Sequence, residues 1–262
     1  MPLKGKTVFI TGGTGGIGTP LVNRLTEAGA AVRAYDIAKD GDLIANLDHV
    51  CASLQKNTPD ILINMAGVVR FDYCENQPVD ALLDLNLRVP MRLTQAVLPA
   101  MKERNSGQIV NIGTMTALIP LPHVTGYAAA KGGLKIFSDA LRRELGGTNV
   151  NVTVISPRAV RTPMNHGPQG EVNKRAGIKD DLPEDVAQRI FEAICKKEAD
   201  VRIGWPERFF AFMHAVFPKI IDQGLQKNRE IGEEILNKHH QTKERNDEKI
   251  TPNDIVQHRA AS

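Results

Sequence analysis

The sequence predicts an α/β fold built on a doubly wound parallel sheet, and three observations support that prediction. Short apolar runs with β-branched residues alternate with longer amphipathic stretches, which is typical of parallel strands joined by crossover helices. A glycine-rich segment stands between the first predicted strand and the first predicted helix. The 262 residues contain no Pro/Ser-rich linker and no internal repeat, so one domain is expected to hold most of the chain.

The predicted elements follow one another in the order that this fold needs. We expect strands at residues 7–11, 31–35, 60–64, 108–112, 152–155 and 201–203. We expect helices near residues 19–28, 79–102, 126–145 and 183–197. The last helix begins with an acidic turn and places Val186, Ile190 and Ile194 on one face, as a core-facing helix does.

Composition and charge exclude several classes of protein. The hydrophobic fraction of 42% and the charged fraction of 24% are those of an ordinary globular domain, and a net charge of +3 is too small to favour nucleic-acid binding. Three widely spaced cysteines predict neither a disulfide framework nor a metal site. The first six residues lack the apolar segment of a signal peptide, and no apolar run reaches the roughly 18 residues of a membrane span. We therefore expect a cytoplasmic protein with free thiols.

The glycine-rich segment has the properties of a phosphate-binding turn. Residues 8–18 read VFITGGTGGIG, which is a strand that enters a turn and then a helix. Glycine lets the main chain adopt positive φ and lets a pyrophosphate approach the backbone N–H groups. The helix that follows offers free donors and a partial positive charge at its N-terminus. In this context the segment predicts a dinucleotide site.

Three motifs in this order resemble those of the short-chain dehydrogenase/reductase family. They are T-G-x-x-x-G-x-G at residues 11–18, an N-N-A-G-like segment at residues 64–67 with Met65 in its second place, and Y-x-x-x-K at residues 127–131. The resemblance covers residues 4–204 and implies a Rossmann-like fold, a nicotinamide cofactor and hydride transfer between that cofactor and a secondary alcohol or ketone. By comparison with the family, the stretch between Asp36 and Asp60 is short, so one crossover helix is expected to be trimmed.

The resemblance also implies a set of cofactor-binding residues. They are Gly12, Thr14, Gly16, Ile17, Gly18, Asp36, Ile37, Asn46, Leu47, Asn64, Ala66, Gly67, Tyr127, Lys131, Pro157, Val160 and Thr162. Asp36 stands at the end of the second predicted strand, where a carboxylate binds the adenosine ribose and repels a 2′-phosphate. Gly15 stands where a basic residue before Gly16 would accept that phosphate. The sequence therefore predicts NAD rather than NADP, although a plain turn residue is an alternative role for Asp36.

Four residues form the predicted catalytic group. Tyr127 and Lys131 are four residues apart on a predicted helix, so that both project from one face as an acid/base pair, and we expect Lys131 to lower the pKa of Tyr127. Thr114 stands where the family has a serine that orients the substrate oxygen. Asn86 matches a helix asparagine whose carbonyl holds a water in the family. Pro90 supports that role, because it has no N–H with which to bond the Asn86 carbonyl.

The C-terminal region leaves more than one interpretation open. Residues 1–204 are expected to form the catalytic domain, residues 205–236 an apolar helical extension and residues 237–262 a polar tail, extended or disordered. Half of the eight phenylalanines lie in the extension. It could pack on the core or a second subunit, wall a pocket for a lipophilic substrate, or lie in a membrane interface. Residues 165–181 are a candidate lid or a simple connector.

Function and assembly follow from these observations as hypotheses. The favoured one is an NAD(H)-dependent oxidoreductase for a secondary alcohol or ketone, with a lipophilic substrate. A regulator that binds NAD without turnover and an epimerase or dehydratase are alternatives, and the last usually needs a larger substrate domain. Leu134, Phe137, Leu141 and Leu145 form an apolar stripe on the helix that carries Tyr127. The family pairs this helix and the helix of Asn86 across a two-fold axis, so the resemblance implies a homodimer or homotetramer.

Overall fold

The structure, a computed structural model that describes residues 1–247, with side-chain surroundings through residue 242, contains one six-stranded sheet. The strands are β1 (Thr7–Thr11), β2 (Ala31–Tyr35), β3 (Ile61–Asn64), β4 (Gly107–Ile112), β5 (Val150–Ser156) and β6 (Asp200–Arg202). Their order is β2-β1-β3-β4-β5-β6, and every neighbouring pair is parallel. The predicted Rossmann-like α/β fold is therefore confirmed.

Helices connect the strands and cover both faces of the sheet. They are α1 (Gly18–Glu27), α2 (Ile37–Asp40), α3 (Leu47–Lys56), α4 (Val79–Leu83), α5 (Val89–Glu103), α6 (Thr125–Glu144), α7 (Pro168–Arg175), α8 (Pro183–Lys196), α9 (Trp205–Val216) and α10 (Pro218–Asp247). Between β2 and β3 the chain forms only the four-residue α2 and the ten-residue α3, as the shortness of residues 36–60 predicts. The single predicted helix 79–102 is divided into α4 and α5 by a π-helical segment, Asp84–Arg88.

Two apolar layers hold the sheet between its helices. On one face, Ile10, Ile63 and Val110 pack against residues of α1 and α8, including Leu21 and Ile190. On the other face, a second set of buried strand residues packs against α3, α5 and α6. Both faces of each central strand are thus buried, which explains why β3 and β4 show no alternation of buried and exposed positions. Their polar side chains, Asn64, Gln108 and Asn111, are buried as well.

Most of the apolar stripe of α6 packs against this second layer. Leu134, Leu141 and Leu145 are buried in the monomer, and Phe137 packs against the same layer as Leu141. The stripe therefore belongs to the core of the monomer, and the predicted homodimer or homotetramer stays a prediction. The stripe has helical periodicity because α6 covers a parallel sheet, and a sequence pattern cannot distinguish a helix on a sheet from a helix on a second subunit.

The phenylalanine-rich extension forms α9 and the start of α10, and most of its large apolar side chains do not pack on the core. Trp205, Phe209, Phe210, Phe212, Val216, Phe217 and Ile220 are all exposed. Core packing is therefore the wrong interpretation for these residues. In the described part of the chain, no helix is both long enough and apolar enough to cross a membrane.

The rest of α10 lies against α7 and the segment after β3. Ile231 and Ile235 pack with Val172 of α7, and Phe71 is partly buried against the same cluster. Two polar contacts also join α10 to that segment, from Tyr73 to Asn237 and from His240 to Asp72. This helix continues through residue 237, where the polar tail is predicted to begin, and residues 248–262 of that tail lie outside the described residues.

Candidate active site

The predicted site residues gather at one edge of the sheet. The glycine turn follows β1, Asp36 follows β2, residues 65–68 follow β3, Thr114 follows β4 and the loop 157–162 follows β5. All five segments therefore leave the carboxyl ends of parallel strands. In open α/β sheets this edge is the place where ligands bind.

The glycine turn leaves no room for side chains at its closest approaches. A Cβ atom on Gly12 would lie 2.8 Å from the backbone nitrogen of Ala66, and one on Gly16 would lie 2.7 Å from Cγ2 of Thr162. Gly12 also has a φ of +73°, which favours glycine. Thr14 and Gly16 are exposed, and α1 begins after Ile17 without a side-chain cap or an acidic first turn. Its amide groups and positive end are thus available for phosphate, and the turn fits a dinucleotide.

The residues predicted near the adenosine have unequal access to a ligand. Asp36 is partly exposed, and its Oδ1 accepts a hydrogen bond of 2.9 Å from the Ala38 N–H at the start of α2. Ile37 is well exposed beside it. Asn46 donates to the Asp40 carbonyl, and the Leu47 side chain is buried against the sheet. Leu47 thus offers a ligand main-chain contact only, since α3 starts there and its first apolar side chain covers the sheet.

The segment after β3 is held by a buried polar chain. Thr11 Oγ1 accepts from the backbone N–H groups of Met65 and Ala66, which ties this segment to the glycine turn. Asn64 donates to Asn111 Oδ1 on β4 at 2.8 Å, and Asn111 donates to Ser138 of α6 at the same distance. The Asn64 side chain therefore contacts the neighbouring strand β4, and through Asn111 it connects the centre of the sheet to α6. Nothing in the sequence indicates the Asn111–Ser138 partnership.

Tyr127 lies in the first turns of α6, beside Thr114. Burial raises the pKa of the Tyr127 phenol to about 12, and a hydrogen bond with Thr114 offsets part of that effect. The direction is opposite to the one that the sequence predicts from a neighbouring ammonium. In the protein alone, loss of solvation has the largest effect on the pKa of Tyr127. The predicted decrease also included the positive charge of a bound oxidised nicotinamide. Thr114 itself is partly exposed and caps a short 3-10 turn by accepting from the Thr116 N–H.

Lys131 is buried one turn beyond Tyr127. Its Nζ donates to the Ile112 carbonyl at the end of β4, at 2.8 Å. Burial lowers the pKa of Lys131 to about 8, because the ammonium has lost its contact with water. A Cβ on Gly67 would lie 3.5 Å from this Nζ and 2.7 Å from Oδ1 of Asn86. Gly67 thus keeps open the space between Lys131 and Asn86.

Asn86 lies in the π-helical segment that the sequence places near a kink. Its side chain is fully buried and exchanges hydrogen bonds with the Val68 main chain, accepting from the N–H and donating to the carbonyl. Pro90 stands four residues later at the start of α5 and has no N–H to donate to the Asn86 carbonyl. The widened turn lies at the position that this argument predicts, and it carries one of the predicted site residues.

The loop after β5 closes against the glycine turn. Pro157 and Val160 are buried, and Thr162 lies against Gly16. Arg158 stands where the family loop has glycine, and its guanidinium makes two hydrogen bonds to Asp181 and one to Glu207 of α9. Arginine in place of glycine thus restricts the backbone at this position and adds an ion-pair network, which links this loop to α9.

Sequence reasoning missed Gln77, which holds the start of α6. Its Oε1 accepts from the Gly126 N–H at 2.9 Å, and its Nε2 donates to the carbonyls of Asp72 and His123. One buried side chain therefore caps the helix that carries Tyr127 and fixes the loop before it. A separation of 49 residues between Gln77 and Gly126 leaves no local signal for this contact.

Comparison with known proteins gives this arrangement a family. Residues 34–171, more than half of the chain, match the family model for short chain dehydrogenase. The chain belongs to the short chain dehydrogenase family. The match begins after the glycine turn, so that turn is assigned by its own geometry.

Relatives of known name and a solved structure agree with this family. The chain is 30% identical to Ketoacyl reductase HetN from a Nostoc species, over 76% of this chain and 78% of that one. It is 28% identical to 3-oxoacyl-[acyl-carrier-protein] reductase FabG from Thermotoga maritima, over 72% and 90%. Against three other curated relatives it spans 55% to 64% of their length.

The solved structure shows that the fold is shared along nearly the whole domain. A short chain dehydrogenase from Burkholderia cenocepacia, crystallised in complex with NADP, has a TM-score of 0.72 and 21% identity, over 86% of this chain and 99% of that one. That likeness concerns the fold; it is the family match that makes this chain an oxidoreductase with a nicotinamide cofactor and a small-molecule substrate.

Proposed function

We propose that the protein transfers hydride between NAD(H) and a lipophilic secondary alcohol or ketone. The observation that carries the proposal is the placement of Thr114 beside Tyr127, with Lys131 one turn further along α6, at the carboxyl edge of the sheet and next to a turn shaped for a dinucleotide. When bound, the nicotinamide accepts or supplies the hydride. The residues of the chain then have to move one proton and orient one oxygen.

Tyr127 is the proposed proton donor and acceptor. In the reductive direction its hydroxyl gives a proton to the substrate oxygen as the carbonyl carbon is reduced, and in the oxidative direction it takes that proton back. A phenol with a pKa raised to about 12 is protonated at neutral pH, which suits proton donation to a ketone. Thr114 orients the same oxygen, and Lys131 and Asn86 lie close to each other beside Gly67.

NAD is the proposed cofactor because a carboxylate stands after β2. Asp36 keeps one oxygen on the Ala38 N–H, and its negative charge disfavours a 2′-phosphate at this position. Arg33, two residues before the end of β2, lies with its guanidinium 5.7 Å from the centre of the Phe9 ring. That contact keeps the nearest basic side chain of β2 on the face covered by α3.

The proposed substrate class follows from the names of two relatives and not from a cavity in this structure. A small cavity lies between α7, α10 and the loop that leads from Thr114 to α6, and its apolar walls include Phe71, Leu121 and Val172. Gln169 contributes a buried amide oxygen that has no hydrogen-bond partner among the described residues. The cavity has room for only about one water molecule, so the choice of substrate rests on the names of two relatives, which point to 3-oxoacyl thioesters as the first compounds to test.

The decisive experiment compares hydride transfer in the parent protein and in Tyr127→Phe. A panel of secondary alcohols and ketones, including hydroxysteroids and 3-hydroxyacyl and 3-oxoacyl thioesters, is followed at the nicotinamide absorbance with NAD(H) and with NADP(H). The variant keeps the ring and loses the hydroxyl, so turnover should fall by about 10²–10⁴-fold with cofactor affinity retained. Tyr73→Phe, which removes a surface hydroxyl bonded to Asn237, is the matched control and should turn over at the parent rate.

The outcomes separate the proposal from its alternatives. Turnover of a confirmed substrate by Tyr127→Phe at the parent rate would refute the assigned chemistry. NAD binding without turnover of any compound would favour a regulator instead. A homodimer or homotetramer and a cytoplasmic location complete the proposal, and sedimentation velocity of the purified chain tests the assembly.

A further inference from the structure

The amphipathic helix α9 is oriented opposite to an ordinary surface helix. Trp205, Phe209, Phe212 and Val216 repeat at four- and three-residue spacing, and they form one stripe whose members are 79%, 53%, 61% and 48% exposed. The opposite stripe consists of Glu207, Ala211 and His214, which face the protein and are buried or half-buried. The polar side of the helix thus anchors it, and the aromatic side faces outward.

The exposed surface is large for a monomer. Phe210 packs edge-to-face beside Phe209, Phe217 and Ile220 follow the end of α9, and all three are also about half exposed. At roughly 150–250 Å² for a whole aromatic side chain, half-exposed residues in this number present on the order of 700 Å² of apolar surface. The largest apolar patch of an ordinary monomer is roughly 300–600 Å², and larger ones mark interaction sites.

We propose that this aromatic face binds the surface of an anionic lipid bilayer. Residues 205–228 contain three basic residues, Arg208, Lys219 and Lys227, against two acidic ones, Glu207 and Asp222, and Arg229 just beyond them is paired with Glu233. Glu207 is turned toward the protein by Arg158, so the charges that surround the aromatic face are mainly positive. A helix with aromatic residues on one side and basic residues around them lies flat in a lipid interface.

Charge also argues against a second copy of the chain as the occupant. In a two-fold contact the same patch meets itself, which brings the positive rim of one copy close to that of the other. Anionic headgroups neutralise the same charges and accept the aromatic rings between them. The bilayer is therefore the partner that matches both the apolar face and its rim.

The position of α9 gives this surface a consequence for the site. The helix starts at Gly204, directly after β6, and Glu207 is paired with Arg158 in the loop after β5. The aromatic face is thus attached to the carboxyl edge of the sheet, where the candidate site opens. Contact with a bilayer would hold that edge next to the lipid, and the inference does not depend on which substrate the site accepts.

The chain contains its own reporter for a test. Trp205 is its single tryptophan and stands in the aromatic stripe. The full chain is mixed with vesicles of phosphatidylcholine, with and without phosphatidylglycerol, and both Trp emission and co-sedimentation are measured. We expect a blue shift and co-sedimentation with the anionic vesicles, weaker binding to the neutral ones, and loss of the difference at high salt.

Variants separate the proposal from other causes of binding. The double change Phe209→Ser with Phe212→Ser should weaken vesicle binding at least about tenfold, because each ring removed takes apolar area away from the lipid contact. Ile136→Ser, at an equally exposed site on α6, is the matched control and should bind like the parent. Circular dichroism and cofactor binding establish that each variant is folded. Arg208→Glu with Lys219→Glu should remove the preference for phosphatidylglycerol.

Two results would overturn the proposal. One is the absence of co-sedimentation with either vesicle at low salt. The other is a blue shift of Trp205 that occurs without lipid, grows with protein concentration and vanishes in the Phe209/Phe212 double variant. That pattern would assign the aromatic face to a contact between copies of the chain.

Discussion

Lys131→Met is expected to make the fold more stable at neutral pH while it abolishes turnover. Lys131 is 4% exposed, and its pKa falls from 10.5 to about 8. Each unit corresponds to roughly 1.4 kcal/mol, so burial of the charged form costs about 3 kcal/mol near pH 7. Methionine removes that cost but gives up the hydrogen bond to the Ile112 carbonyl, worth roughly 1.5–3 kcal/mol for a charged donor. The net gain in unfolding free energy is about 1 kcal/mol.

The pH dependence of the difference gives a sharper test than its size. Between pH 8 and 10.5 the folded protein has lost the Lys131 proton that the unfolded chain still holds, so the parent gains stability as pH rises through this window. The variant lacks that gain. The excess of the unfolding free energy of Lys131→Met over that of the parent should therefore shrink as pH rises and change sign by about pH 10. Contributions from all other titrating groups cancel in this comparison.

Urea unfolding followed by far-ultraviolet circular dichroism at pH 7.5, 8.5 and 9.5 measures this difference. Lys135→Met is the control: this ammonium lies one turn further along α6, pairs with Asp139 and Asp200, and should only lose stability when it is removed. A stability difference between parent and Lys131→Met that stays constant across the three pH values would refute the argument that burial of the charge is costly.

Three further predictions concern the cofactor, the substrate oxygen and the loop after β5. Asp36→Asn keeps an acceptor for the Ala38 N–H and removes the charge, so the NAD preference measured by cofactor titration should narrow; equal affinity for both cofactors in the parent would contradict the role given to Asp36. Thr114→Ser should retain turnover and Thr114→Ala should lose most of it, about 10²-fold in kcat, unless the hydroxyl has no part in the reaction. Arg158→Met should lower the unfolding free energy by about 2 kcal/mol, since it leaves the Asp181 carboxylate without its partner; an unchanged thermal midpoint would show that the network is dispensable.

Local patterns predicted the elements of this fold well because a parallel sheet buries whole strands. Both faces of β3 and β4 are buried, and several of the helices between strands show clear periodicity. The bounds of the six strands and of α1, α6 and α8 therefore differ from the predicted ones by only one or two residues, whereas α3 was not predicted and the helix 79–102 is divided. The three motifs likewise placed Tyr127 and Lys131 correctly along α6 and the glycine turn after β1. These signals are local, and the sequence displays them directly.

Contacts between distant segments could not be predicted in the same way. Gln77 and Gly126, or Asn111 and Ser138, meet only after the chain has folded, and one sequence carries no record of such pairs. The sequence also could not predict whether the apolar face of a helix points toward the core or toward the solvent. The stripe on α6 faces the sheet and the stripe on α9 faces outward, although both have helical spacing. The predicted decrease in the pKa of Tyr127 was wrong for a related reason: the burial that raises this pKa arises only when the chain folds.

The shortened crossover after β2 also bears on aggregation. With no strand between α2 and α3, β2 becomes an outer strand of the sheet, and one side of its backbone lacks a strand partner among the described residues. Such edges recruit strands from other molecules unless they are short or charged. β2 has five residues and carries Arg33 at its centre, so it meets both conditions. A neutral, β-branched residue in place of Arg33 would turn this edge into a site for intermolecular pairing, with precipitation on heating as its visible sign.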